Sequence, residues 1–211
     1  MKWIRKAIFG FWVLWSSAAL GGVYEDLLHA VSNGDERTVA ALLQRGVDVN
    51  SVDGNGNSLL MIAARHGKPA MIKTLLAAMP RINARNAFGE TALMLAAFHG
   101  HTEVVRQLIA QGAEVNHRGW TPLMYAATRN RMEIARALIG HGADVNAQAD
   151  NGNTALMMAA REGHLAMVLL LLEHGADLQR RTLDGDTALS LARERGHREI
   201  VDILTRAGAT N

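Results

Sequence analysis

Gly89-Glu-Thr-Ala-Leu-Met-Leu-Ala96 returns four more times in the chain: as Gly56-Asn-Ser-Leu-Leu-Met-Ile-Ala63, Gly119-Trp-Thr-Pro-Leu-Met-Tyr-Ala126, Gly152-Asn-Thr-Ala-Leu-Met-Met-Ala159 and Gly185-Asp-Thr-Ala-Leu-Ser-Leu-Ala192. The leading glycines stand 33, 30, 33 and 33 residues apart. A fixed period of that size marks stacked supersecondary units, none of which can bury its apolar face alone.

The grammar of one unit follows from local chemistry. Thr91 is a natural N-cap, its hydroxyl able to take an orphan amide of the first turn, and Pro122 after Thr121 sacrifices an N–H that would bond nothing there. A first helix to about Phe98 is predicted. Gly100 then permits a left-handed turn, and a second helix starts near Thr102 with Glu103 in its favourable first turn. Val104, Val105, Leu108 and Ile109 fall at helical spacing as its buried face, and Gly112 ends it. The pattern recurs at 163–172 and 196–204, and an earlier unit without the opening turn begins at Tyr24. Six repeats are expected at about 24–50, 56–83, 89–116, 119–146, 152–179 and 185–209, the first and last being charged caps.

The five Thr-Pro-Leu-like openings resemble the ankyrin repeat family across almost all of residues 23–211. The resemblance implies an all-α repeat solenoid, each repeat a hairpin finger followed by two antiparallel helices. It also implies a protein-binding role on the concave face of the fingers and first helices. The chain departs from the family in three ways. Where the family often has His, it has Met61, Met94, Met124, Met157 and Ser190; Met fills space but is expected not to replace the hydrogen bonds of that His. These methionines are read as core rather than as a copper-binding array. Met79-Pro80 replaces the usual Gly-Ala and is expected to reshape the exit from the second repeat. Finally, Asn116 reaches Gly119 after two residues where Asn83 reaches Gly89 after five, so one finger is shortened and a notch opens beside His117, Arg118 and Trp120.

Before the repeats, Lys2, Arg5 and Lys6 precede an apolar run, Ala7 to Leu20, that ends in small residues. Residues 1–22 are therefore expected to be a signal peptide cleaved after Ala19 or Gly21, or, alternatively, an inner-membrane anchor. Either directs the repeats to a bacterial periplasm. Those three cations are among the chain's 22 basic groups, leaving 19 against 20 acidic ones in the repeats. That balance provides no global field for nucleic acid. The absence of Cys removes disulfides, thiol catalysis and thiolate metal sites.

Candidate contact residues come from the fingers and the first-helix exits. Phe88, Phe98 and Trp120 stand out in a chain with 5% aromatics, beside Arg118 at the notch. Arg65, Arg129, Arg161 and Arg193 follow the alanines that close the first helices and are read as a partial ladder of guanidinium forks suited to carboxylates, with Glu162 and Glu194 beside two of them. His66 and His99, or His141 and His174, occupy equivalent positions about 10 Å apart, too far to share a metal ion at the ordinary bond length of about 2 Å. No nucleophile elbow, His-Glu-x-x-His or phosphate loop is present. The expectation is a non-catalytic periplasmic module with no cofactor and another protein as partner. Two alternatives remain: a membrane-anchored adaptor, and a stress-protection factor supporting an envelope redox enzyme such as a catalase.

Overall fold

The computed structural model describes residues 17–210; the expected signal sequence lies mostly outside them. The described residues form six helix pairs in chain order: α1 (Ser17–Asn33) with α2 (Glu36–Gln44), α3 (Leu59–Arg65) with α4 (Pro69–Ala77), α5 (Ala92–His99) with α6 (Thr102–Ala110), α7 (Pro122–Thr128) with α8 (Met132–Gly140), α9 (Ala155–Arg161) with α10 (Leu165–Glu173), and α11 (Ala188–Glu194) with α12 (Arg198–Arg206). Helix α1 begins inside the stretch read as a cleavage region. No helix among the described residues is long and apolar enough to cross a membrane.

The first helices stack α3 on α5 on α7 on α9 on α11, and the second helices line up outside them. With 7 or 8 residues, α3, α5, α7, α9 and α11 are each too short to hold themselves together, so burial on nearly all sides sustains them. Leu93, Met94, Ala96 and Ala97 are at most 2% exposed, as are their counterparts in neighbouring repeats, which makes the core continuous along the array. The predicted boundaries hold within a residue or two: α5 ends at His99, Gly100 turns at φ 85°, and α6 starts at Thr102.

Each cap is built as the sequence implies, with one correction. Ser58, Thr91, Thr121, Thr154 and Thr187 accept a bond from the amide three residues on. Met was expected to fill space without hydrogen bonding, yet the Met61 and Met94 sulfurs accept from the Ser58 and Thr91 amides at 3.4 Å. Ser190 Oγ does the same for Thr187 at 2.9 Å. A thioether is a weak acceptor, but here it completes a reciprocal cap while remaining in the core.

Between repeats runs a ladder of amide side chains. Asn50, Asn83, Asn116 and Asn146 each accept, at 2.7–2.9 Å, from a backbone amide of the following repeat. The ladder includes Arg81, so Met79-Pro80 does not divert the exit from the second repeat as expected. Met79 takes the left-handed conformation, φ 53°, that glycine supplies elsewhere.

Candidate functional site

Four fingers close the same way, by an amide-to-carbonyl bond at Asp53–Asn57, Asn86–Glu90, Ala149–Asn153 and Thr182–Asp186. They are joined in pairs, because Ala87 donates to the Asn55 carbonyl and Leu183 to that of Asn151, both at 3.0 Å. The short finger at 117–120 lies between these pairs. Its link to the preceding finger is a side chain, Arg85 donating to the Arg118 carbonyl at 3.5 Å. Arg118 itself is exposed.

A polar chain crosses the finger face up to this gap. Asp53 takes the Asn55 and Asn57 amides and the Asn57 side chain. Asn57 Oδ1 then accepts from Arg65 at 3.3 Å and from Asn86 Nδ2 at 2.8 Å. Asn86 also donates to Glu90, while its oxygen holds the Phe88 and Glu90 amides, both at 2.9 Å. Glu90 finally accepts from the Tyr125 hydroxyl at 3.1 Å. Asn57 and Asn86 are buried, 1% and 7% exposed, and their satisfaction makes the network affordable in a low-dielectric setting. Burial works to raise the Asp53 pKa, but the donors from Asn57 and Asn55, with Arg65 nearby, outweigh it and hold the carboxyl below its ordinary value. Burial, and then the Glu90 charge and hydrogen bond, push the Tyr125 phenol well up, so the hydroxyl keeps its proton and donates.

The aromatic candidates divide. Phe88 stands 74% exposed at a finger tip. Trp120 and Phe98 are half-buried, and both pack on Tyr125, with ring centroids 5.3 and 5.8 Å away. Tyr125 is thus the hub that sequence reasoning missed. The available signal was its position, where the other repeats carry Ile62, Leu95, Met158 and Leu191.

The arginine ladder is corrected. The carbonyls of Arg65, Phe98, Thr128 and Arg161 each accept from the residue that opens the next repeat's second helix: His101, Arg131, His164 and His197 respectively. This bond marks equivalent positions, so only Arg65 and Arg161 share one. Arg129 lies one residue later, at the α7 C-cap, and Arg193 one earlier than the equivalent Glu194. Arg129 instead covers the Phe98 ring, its guanidinium carbon 4.4 Å from the centroid. Glu162 pairs with Arg161 at 3.1 Å as anticipated, but Glu194 approaches Arg195 at 3.9 Å. Among the described residues no three His, Cys, Asp or Glu side chains converge as a metal site. The methionines read as core are indeed enclosed, Met61, Met94, Met124 and Met157 each 1% exposed.

A family model of ankyrin repeats, in three copies, matches residues 27–118, 60–149 and 147–211. No curated protein matches the chain. Among solved structures, one chain similar to it belongs to the complex of the Bd0816 predatory endopeptidase from Bdellovibrio bacteriovorus with immunity protein Bd3460. That likeness is 32% identical with a TM-score of 0.76, covering 85% of this chain and 96% of the other. The human ASB11 ankyrin repeat domain is 27% identical with a TM-score of 0.79, covering 87% of this chain and 84% of that one. With repeat, cap and finger in register along nearly its whole described length, the chain belongs to the ankyrin repeat family, whose fold is typically a non-catalytic protein-interaction module.

Proposed function

We propose that the chain is an exported, non-catalytic docking module that binds a protein of the bacterial envelope through the finger face around Phe88, Trp120 and Tyr125. Phe88 carries this reading. A large apolar ring stands in solvent on a finger whose amides are fixed by a buried asparagine, so an anchor is presented with little ordering left to pay for on association. The likeness to a chain from an endopeptidase–immunity protein complex supports a partner that is itself an enzyme. Export rests on the basic and apolar start of the sequence, and the periplasm is the compartment it favours.

The test is cross-linking and pull-down from intact envelopes, comparing wild type with Phe88→Ala, Trp120→Ala after circular dichroism has shown both folded. Loss of one specific partner from the variant is expected. An unchanged partner set moves the interface elsewhere, and recovery of full-length protein from the cytosol overturns the envelope assignment.

A further inference from the structure

The first-helix exits of the second, third and fourth repeats gather cations around an aromatic floor. His99 and His101 stack with centroids 6.1 Å apart, and His99 meets Phe98 edge-on at 5.2 Å. Arg129 lies over Phe98, Arg131 donates to the Phe98 carbonyl, and His101 donates to that of Arg65. The bonds of His101 and Arg131 fix the cluster across the repeat boundaries, while His99 and Arg129 remain exposed. Of the carboxylates nearby, Asp53 beside Arg65 takes the Asn55 and Asn57 donors, Glu90 those of Tyr125 and Asn86, and Glu162 pairs with Arg161, while Glu133 shares the shallow depression with Arg131.

We propose that this cluster receives an acidic segment of the partner protein, carboxylates meeting Arg129, Arg131 and Arg65 while the chain bearing them lies against the exposed His99 ring. This rests on the docking role above and names the chemistry of its partner. Charge complementarity is local, since the repeats as a whole are near neutral while Arg129, Arg131, His99 and His101 gather at this one place. Guanidinium forks already oriented by ring contact and carbonyl bonds lose little freedom on taking a carboxylate.

Docking carries a proton. Burial, and then the charges of His101, Arg65, Arg129 and Arg131, hold the His99 pKa below its ordinary value. An arriving carboxylate offsets those positive charges, so His99 titrates higher in the complex than alone. Affinity therefore rises as pH falls through the interval between the two values, by up to about tenfold per pH unit, and levels off below it.

The probe is acetylated hexaglutamate, titrated calorimetrically into the full chain at low salt and at several pH values. Saturable binding is expected, with net proton uptake, weakened at least about fivefold by Arg129→Gln. His99→Gln keeps a measurable affinity but abolishes the proton uptake. Arg106→Gln, on exposed α6 surface, serves as control. Absent binding, an equal loss in the Arg106→Gln control, or equal affinity for a single-stranded oligonucleotide of matched charge overturns the proposal. If the pull-down partner depends on Phe88 and Trp120 while hexaglutamate fails to bind, this inference falls and the docking role stands. Hexaglutamate binding without such a partner supports the receptor and refutes that placement of the docking face.

Discussion

Replacing Asn86 with Ala removes four hydrogen bonds at once: the donations to Asn57 and Glu90, and the acceptance from the Phe88 and Glu90 amides. Asn57 Oδ1 retains Arg65, and the Phe88 amide at the finger tip can turn to water, so not every lost bond leaves a stranded group. Counting about 1 kcal/mol for each of the two bonds to Glu90, which solvent replaces poorly, and about 0.5 kcal/mol for each of the other two, the variant should lose about 3 kcal/mol. For a chain of this size that lowers Tm by roughly 6–12 °C. Urea titration by circular dichroism and calorimetry measure both. Asn86→Asp should be at least as damaging, because it keeps the acceptor, deletes both donors and sets a second carboxylate beside Glu90. A loss below about 1 kcal/mol in Asn86→Ala, or an Asp variant as stable as wild type, would falsify the view that this asparagine organises the finger pair.

Gly67→Ala should cost about 2 kcal/mol or more, because its φ is 61° and a Cβ would collide with the His101 ring; Gly112→Ala, with open space around it, should cost only the backbone penalty of about 1 kcal/mol. Equal denaturation midpoints for the two would remove His101 as a fixed bridge. Met79→Gly should stabilise by roughly 0.5–1 kcal/mol, since a left-handed residue is relieved and a side chain 87% exposed gives up little packing. A lowered midpoint would count against that strain. His117 is driven below its ordinary 6.5 by burial and then by Arg85, against the opposing pull of Glu114. The unfolded chain thus takes its proton first, and stability declines as pH falls through about 6.5 toward the lower folded value; His117→Gln should flatten that part of the stability–pH curve. Unchanged slopes would discount the imidazole. Tyr125→Phe should cost about 1 kcal/mol through the Glu90 bond while leaving the ring stack in place, checked by thermal melts.

What the sequence displays and what it conceals have separate causes. Thr91, Gly100, Glu103 and Gly112 act within a few residues of themselves, so helix limits and turns are legible from local chemistry. The shortened finger is legible too, because it is a count along the chain. Tyr125 is not, since its importance comes from Trp120, Phe98 and Glu90 meeting it from three directions. The arginine row illustrates the opposite error. Following an alanine gives no assurance of a shared helical position, and a slip of one residue rotates a side chain by about 100° on a 3.6-residue helix. Counting nine residues from each leading glycine reaches Arg65, Phe98, Thr128, Arg161 and Glu194, the register that the repeated bond to the first four carbonyls also marks. Met79 escapes for a third reason: the ladder through Asn50 persists, and the backbone adopts a strained conformation to keep it.

The pairing of fingers has a mechanical consequence. Two backbone bonds, Ala87 to Asn55 and Leu183 to Asn151, clamp the finger edge into two stiff leaves, and the short finger meets the leaf before it through a long arginine contact. Bending along that edge therefore concentrates at one crease, while the stacked first helices behind it act as the spine. Trp120, Tyr125 and Phe98 lie at the crease, so the curvature of the array and the packing of those rings must change together.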